Sequence, residues 1–167
     1  MSQETEFTER LQQHAGILHK VARAYAWRPE ERAELLQEMR LQLWRAYPRY
    51  QQGTPFSTWM YRVALNVAIS QLRAATAQQR DVHATEALED DASEPGCDGG
   101  EQAEQLRTLW ALIQRLPELD RALILMALDG IDAADMAAAL GLSVSNVGTR
   151  LQRIKTRLAE AYRKETQ

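Results

Sequence analysis

The sequence predicts an all-α protein built as two small helical domains joined by a flexible acidic linker, the C-terminal domain being a helix-turn-helix. Three observations carry that expectation. Apolar residues recur at steps of three and four in both ends of the chain, and nowhere do they alternate as in a half-buried strand. Charge is divided into blocks: residues 1–80 hold 11 Lys+Arg against 7 Asp+Glu (net +4), residues 81–104 hold 9 acids and no base (net −9), and residues 105–167 hold 9 bases against 7 acids (net +2). Finally, Asp132 to Leu158 places an Ala-rich stretch, a Gly turn and a basic amphipathic stretch in succession. The expected limits are 1–77, 78–102 and 103–167.

The elements follow in order. A first helix is expected over roughly Thr5 to Ala26, carrying Leu11, Ile17, Leu18 and Val21. From Glu30 to Tyr47, the residues Leu36, Met39, Leu43 and Tyr47 make one apolar stripe, and Pro48 ends it. From Ser57 to Leu72, Met60, Val63, Ala64, Val67 and Ala68 do the same, with Ser57 or Thr58 as the expected N-cap after Pro55. The stretch from about Gln78 to Gln102, with Glu94-Pro95-Gly96 and Gly99-Gly100, has no periodicity and reads as a linker extended by like-charge repulsion, with room for a short helix from Ala84 to Glu89.

Beyond it, Leu106, Leu109, Trp110, Ile113 and Leu116 mark a helix closed by Pro117. Leu119, Leu123 and Met126 mark another, closed at Asp129-Gly130 by a left-handed glycine. A short helix runs from Asp132 as N-cap to Leu140 and stops at Gly141. The last starts at Ser143 and carries Val147, Leu151, Ile154, Leu158 and Tyr162 at a period of 3.6.

Composition removes several classes of function. One Cys, Cys97, forms no internal disulfide, and with three scattered histidines (His14, His19, His83) it offers no zinc ligand spacing, so no metal and no cofactor is expected. There is no Gly-rich phosphate loop and no nucleophile elbow, which argues against an enzyme. No apolar run approaches the roughly 18 residues of a membrane helix, and the polar, acidic start is unlike a signal peptide, so a cytoplasmic protein without membrane insertion is expected.

Two segments carry the chemistry. In the helix-turn-helix, Ala134, Ala137 and Ala138 permit close helix approach, and the second helix presents Ser145, Asn146, Thr149, Arg150 and Arg153. Between Ser143 and Leu158 it holds Arg150, Arg153, Lys155 and Arg157 and no acid, which suits a groove lined by phosphates. An ordinary helical hairpin with a solvated basic face has the same local pattern. Around Tyr50 to Arg73, the aromatics Tyr50, Phe56, Trp59 and Tyr61 are interleaved with Arg49, Arg62 and Arg73, and Asn66 lies one turn beyond Arg62. Unstacked bases need aromatic faces and their backbone needs cations, so this composition suits single-stranded DNA; taken singly, Phe56 and Trp59 read more readily as core.

These residues resemble the extracytoplasmic-function sigma factors of bacterial RNA polymerase. Glu34-Leu35-Leu36-Gln37-Glu38, followed by Leu43-Trp44, looks like the family's acidic D-x-x-Q-E helix, which binds the polymerase clamp. Phe56 through Asn66 looks like its F-x-x-W-L-x-R-I-A-x-N segment, which recognises and melts the −10 element, and Leu116-Pro117 through Leu158 looks like the domain that reads the −35 element. The order and spacing of the motifs cover nearly the whole chain.

The resemblance implies a dissociable, non-enzymatic initiation subunit with core RNA polymerase and promoter DNA as partners and an anti-sigma protein as a further one. It puts Glu34, Gln37, Glu38 and Arg40 on the polymerase, with Leu35 and Trp44 either in the same face or in the core. It puts Tyr50, Phe56, Trp59, Arg62, Asn66 and Arg73 at the −10 DNA, where Tyr50 and the loop to Phe56 meet a flipped base and Asn66 hydrogen-bonds it. Ser145, Asn146, Thr149 and Arg153 then fall to upstream base edges, and Arg150 and Lys155 to phosphate. This chain departs from the family pattern at Glu34 (usually Asp), Arg40 (often apolar), Ser70 (commonly Asp) and Gly148 (frequently a base). The alternative is a helix-turn-helix regulator of duplex DNA that works without polymerase, which accounts for residues 132–158 but leaves the aromatic stretch as core.

Overall fold

The computed structural model describes residues 2–79 and 99–167. Most of the expected linker, including Ala84 to Glu89, His83 and Cys97, lies outside the described residues. Within them the chain forms eight α-helices and one short 3-10 turn, with no strand.

Helices α1 (Gln3–Gln13) and α2 (Ala15–Tyr25) occupy the span expected of a single helix. The break is at His14, whose φ of −116° and ψ of 16° leave the helical region, with Gly16, a poor helix former, just beyond. Packing uses the break: Phe7 of α1 reaches Trp44 and Tyr47 at ring separations of 5.1 and 5.0 Å, while Ile17, Leu18 and Val21 of α2 enter the core between the next two long helices.

Helix α3 (Pro29–Ala46) begins with Pro at its first position, where the missing N–H costs nothing. The Glu31 carboxylate accepts from the N–H groups of Trp27 and Arg28 at 3.3 Å each, closing the helix start. A 3-10 turn, Tyr47–Arg49, follows.

Helix α4 (Phe56–Gln79) starts earlier than expected: the Trp59 N–H already bonds the Pro55 carbonyl at 3.1 Å, so Ser57 and Thr58 lie inside the first turn and neither is the N-cap. It also runs a further two turns past Leu72. Residues 73–78 are exposed, so this extension rests on the propensity of Ala74, Ala75 and Ala77 and not on burial.

The C-terminal half comprises α5 (Glu101–Gln114), α6 (Glu118–Leu128), α7 (Ala133–Leu140) and α8 (Val144–Thr166). Its local signals hold. Asp132 accepts from the Asp135 N–H at 2.8 Å, Ser143 accepts from the Asn146 N–H at 3.1 Å, and Gly130 and Gly141 take φ of +73° and +69° at the two turns. Helix α5 starts at Glu101, inside the stretch assigned to the linker.

The two halves pack against each other: α2 meets α5 and α6, and α4 meets α6 and α7, so Leu18, Met60 and Leu65 share one continuous core with Ile113, Leu125 and Met126. The contact is polar as well. The last turn of α2 has carbonyls without intrahelical partners, and the other half supplies donors: Gln114 Nε2 to the Arg23 carbonyl at 2.7 Å and Arg121 Nη1 to the Ala24 carbonyl at 3.1 Å. Arg121 also donates through Nε to the Leu116 carbonyl at 2.7 Å, and burial lowers its pKa against the opposing influence of Tyr25 and Glu118. The Asp129 carboxylate accepts from both Lys20 and the Tyr61 hydroxyl, Tyr25 donates to the Glu118 carbonyl, and Arg73 pairs with Glu118.

Candidate nucleic-acid interface

Three surfaces gather the residues singled out by sequence. On α3, Glu34, Gln37 and Arg40 are exposed, and Glu38 is half-buried, its carboxylate accepting from Gln42 at 2.7 Å. Trp44 is 42% exposed with one flank on Phe7. Leu35 takes the second of the places left to it: at 2% exposed it is core, because the α3 stripe that meets α2 and α4 runs through Leu35, Met39 and Leu43. A residue not anticipated joins the outer face. Leu41, 42% exposed, lies one turn after Gln37 and one before Trp44, giving the acidic face two apolar patches.

On α4, Trp59, Arg62, Asn66, Ser70 and Arg73 follow at helical spacing along one side, all exposed except the half-buried Trp59. The start of this stripe rests on an aromatic cluster. Trp59 lies 5.0 Å from Tyr50 and 5.3 Å from Phe56, Tyr50 meets Phe56 edge-on at 5.6 Å, and the Arg10 guanidinium sits 5.8 Å from both the Tyr50 and Phe56 rings. Within the cluster, Phe56 is buried and Tyr50 half-buried, its hydroxyl donating to the Thr54 carbonyl at 2.6 Å. Tyr50 therefore caps the loop that Phe56 anchors. Arg73, at the far end of the stripe, is held by Glu118 of α6, which raises its pKa. Tyr61 points the other way: fully buried, its hydroxyl on Asp129, it is pushed well above the usual phenol range by burial and then by that carboxylate.

On α8, Ser145, Asn146, Thr149, Arg153 and Lys155 are exposed, and Val147, Ile154 and Leu158 fasten the opposite side to the core. Arg150 differs from the others. It is half-buried, its Nε 3.4 Å from Asp120 Oδ1 of α6. Gly148 faces open space, so a side chain would fit there.

The acids Glu118, Asp120 and Asp129 were legible only as isolated carboxylates flanking the apolar run Ala122 to Leu128. Such placement signals partners without saying which. No group of His, Cys, Asp or Glu suited to a metal ion occurs among the described residues, nor does a helix long and apolar enough to cross a membrane.

Comparison with known proteins agrees with this arrangement. The family model of sigma-70 region 2 matches residues 11–78, which hold the α3 and α4 surfaces, and that of sigma-70 region 4 matches residues 106–158, which hold the helix-turn-helix. The ECF RNA polymerase sigma factor SigM of Mycobacterium tuberculosis is 29% identical over 154 residues, covering 92% of this chain and 75% of the relative. The RNA polymerase sigma-H factor of Pseudomonas aeruginosa is 30% identical over 141 residues, covering 79% and 73%. In fold, the chain is similar to the sigma factor RpoE of Bartonella quintana, solved in complex with the anti-sigma factor NepR, with a TM-score of 0.78 at 19% identity over 95% of this chain and 97% of that one. An acidic helix, an aromatic-flanked helix and a helix-turn-helix in this order, matched by both regions and by these relatives, place the chain in the extracytoplasmic-function family of RNA polymerase sigma factors.

Proposed function

We propose that this chain binds core RNA polymerase through the outer face of α3, opens the −10 element with the aromatic-flanked face of α4, and reads the −35 element with α8. The observation that carries the reading is the exposed α4 stripe, where Arg62, Asn66, Ser70 and Arg73 continue from Trp59 and the Tyr50–Phe56 cluster. Cations along one side of a helix neutralise a backbone while the aromatic end offers a stacking surface, which is what a melted strand requires. Glu34, Gln37, Glu38 and Arg40, with Trp44 and Leu41, form the polymerase face, and Leu35 supports it from inside. On α8, Ser145, Asn146, Thr149 and Arg153 meet base edges, and Arg150 and Lys155 meet phosphates.

A regulator acting on duplex DNA alone would account for α7 and α8 and leave the α3 and α4 surfaces without a role. The work is that of a non-catalytic subunit in the compartment of the polymerase, the cytoplasm. By likeness to the NepR-bound relative, an anti-sigma protein is a further partner.

Run-off transcription with core polymerase on a promoter library tests the reading: transcripts dependent on this chain are expected. On a promoter so found, Asn66→Ala should leave recruitment largely intact but depress opening, read by permanganate footprinting, and a pre-melted bubble should restore the part of the defect that lies in opening. Asn66→Ala opening the linear promoter as well as wild type removes Asn66 from the melted strand.

A further inference from the structure

Asp120 stands in the first turn of α6, its side chain only 13% exposed, and its Oδ1 is fully buried without a hydrogen-bond partner. The nearest cation is Arg150 of α8, whose Nε lies 3.4 Å away, in range for charge attraction but not aligned as a hydrogen bond. The two residues line a small cavity of about 130 Å³ with Arg153, Ile154 and Arg157. One carboxylate thus shares a cavity with three arginines of α8, of which Arg150 alone comes within ion-pair distance.

A buried carboxylate oxygen with no donor is costly, so its retention calls for a compensating role. A guanidinium is a planar fork with five donors, able to hold a carboxylate on one edge and a phosphate on another. Here the closest approach is through Nε, which leaves the two terminal nitrogens for a second oxyanion. Arg150 is 34% exposed, so those nitrogens are within reach of solvent and DNA. Arg153 and Arg157, which also line the cavity, are exposed and form no ion pair among the described residues.

We propose that Asp120 is a positioning residue for upstream-element binding: it holds the Arg150 guanidinium on the DNA side of α8 so that the terminal nitrogens meet one backbone phosphate. This rests on the reading of α8 as the duplex-binding helix. Asp120 makes no DNA contact of its own. Its charge repels the same phosphate, so the arrangement helps only because a pre-oriented arginine loses less freedom on binding than a free one. Closing the 3.4 Å gap into a true hydrogen bond on DNA binding would also satisfy the buried oxygen.

The test uses holoenzyme made from core polymerase and the full chain, binding a duplex that carries only the upstream element of a promoter selected by wild type. Asp120→Asn, which keeps the shape, is expected to weaken binding about three- to tenfold. Arg150→Ala should weaken it at least as much, and Arg150→Lys should not restore it, because an ammonium has no fork. The double variant Asp120→Asn/Arg150→Ala should bind no worse than Arg150→Ala alone, a coupling that a merely structural aspartate would not produce; thermal midpoints measured in parallel report any loss of fold. Binding by Asp120→Asn equal to or tighter than wild type, with a salt dependence steeper by about one phosphate contact, would show that Asp120 only neutralises Arg150 and overturns the proposal. Losses that multiply in the double variant overturn it as well. If Arg153→Ala and Thr149→Ala also leave binding unchanged, the duplex reading of α8 itself has failed; if they weaken it while Arg150→Ala does not, that reading stands and only the proposal falls.

Discussion

Tyr61 shows how much a single side chain can be asked to do. Its ring is fully buried among core residues of α4, and its hydroxyl reaches Asp129, a residue 68 positions away, which also takes the Lys20 ammonium. Burial first, then the Asp129 carboxylate, raise its pKa far above the ordinary phenol value near 10, and Tyr25 is raised chiefly by burial too. The sign follows directly. Because the folded-state pKa lies above the unfolded one, the contribution is intact below about pH 10 and is lost as pH rises beyond it, by up to about 1.4 kcal/mol per pH unit for each phenol. Urea midpoints should therefore fall above pH 10, and the fall should be shallower in Tyr61→Phe than in wild type. Equal slopes would mean that Tyr61 ionises normally in the fold.

Among the elements, α8 carries the clearest departure from an optimal helix. Gly148 sits in its second turn with nothing within 4 Å of where a Cβ would stand. Glycine in a helix interior costs about 1 kcal/mol relative to alanine, so Gly148→Ala should raise the unfolding free energy by roughly that amount, measured by denaturant titration. Gly148→Lys should add a cation on the side of α8 that already carries Lys155, two turns on, steepening the salt dependence of holoenzyme binding to upstream duplex by about one phosphate contact. A stabilised Gly148→Lys variant with unchanged DNA binding would show that this part of α8 does not face the backbone. Helix α2 makes the complementary point. Its C-terminal carbonyls are satisfied by Gln114 and Arg121, so the end of an element in one half is completed by side chains from the other.

At the scale of the whole molecule, that shared construction has a consequence for promoter binding. Packed together, residues 2–79 and 99–167 have the size of a domain with a radius of gyration of about 15 Å, whereas promoter elements centred near −10 and −35 lie on the order of 80 Å apart on duplex DNA. On the proposed reading, the two halves must part to occupy both. Asp129 joins Lys20 and Tyr61 across the contact, and Glu118 joins Arg73, which is also a candidate for the −10 strand. Asp129→Ala should therefore loosen the packed state of the free chain, seen as a larger radius of gyration in small-angle scattering and faster proteolysis between the halves. An unchanged radius would mean that the apolar contact between α2, α4 and α6 holds the halves together without the carboxylate.

Much of this protein was legible before any coordinates, and the reason is that the signals are local. Periodicity of three and four, the Asp132 and Ser143 caps and the left-handed glycines at 130 and 141 each act within about one turn of chain, so the helix-turn-helix and its exposed face could be read directly. The motifs around Glu34 and Phe56 were legible for the same reason, being short segments with fixed spacing. Tertiary structure decided what depends on residues far apart in sequence. It split the first helix at His14 so that Phe7 could pack on Trp44 and Tyr47, drew Leu35 and Phe56 inward while leaving Leu41 and Trp44 in solvent, and set Asp120 against Arg150 and Asp129 against Lys20. A carboxylate in a local window shows only that it needs a partner; which cation it finds is set by how the helices cross, and that is a property of the packed core.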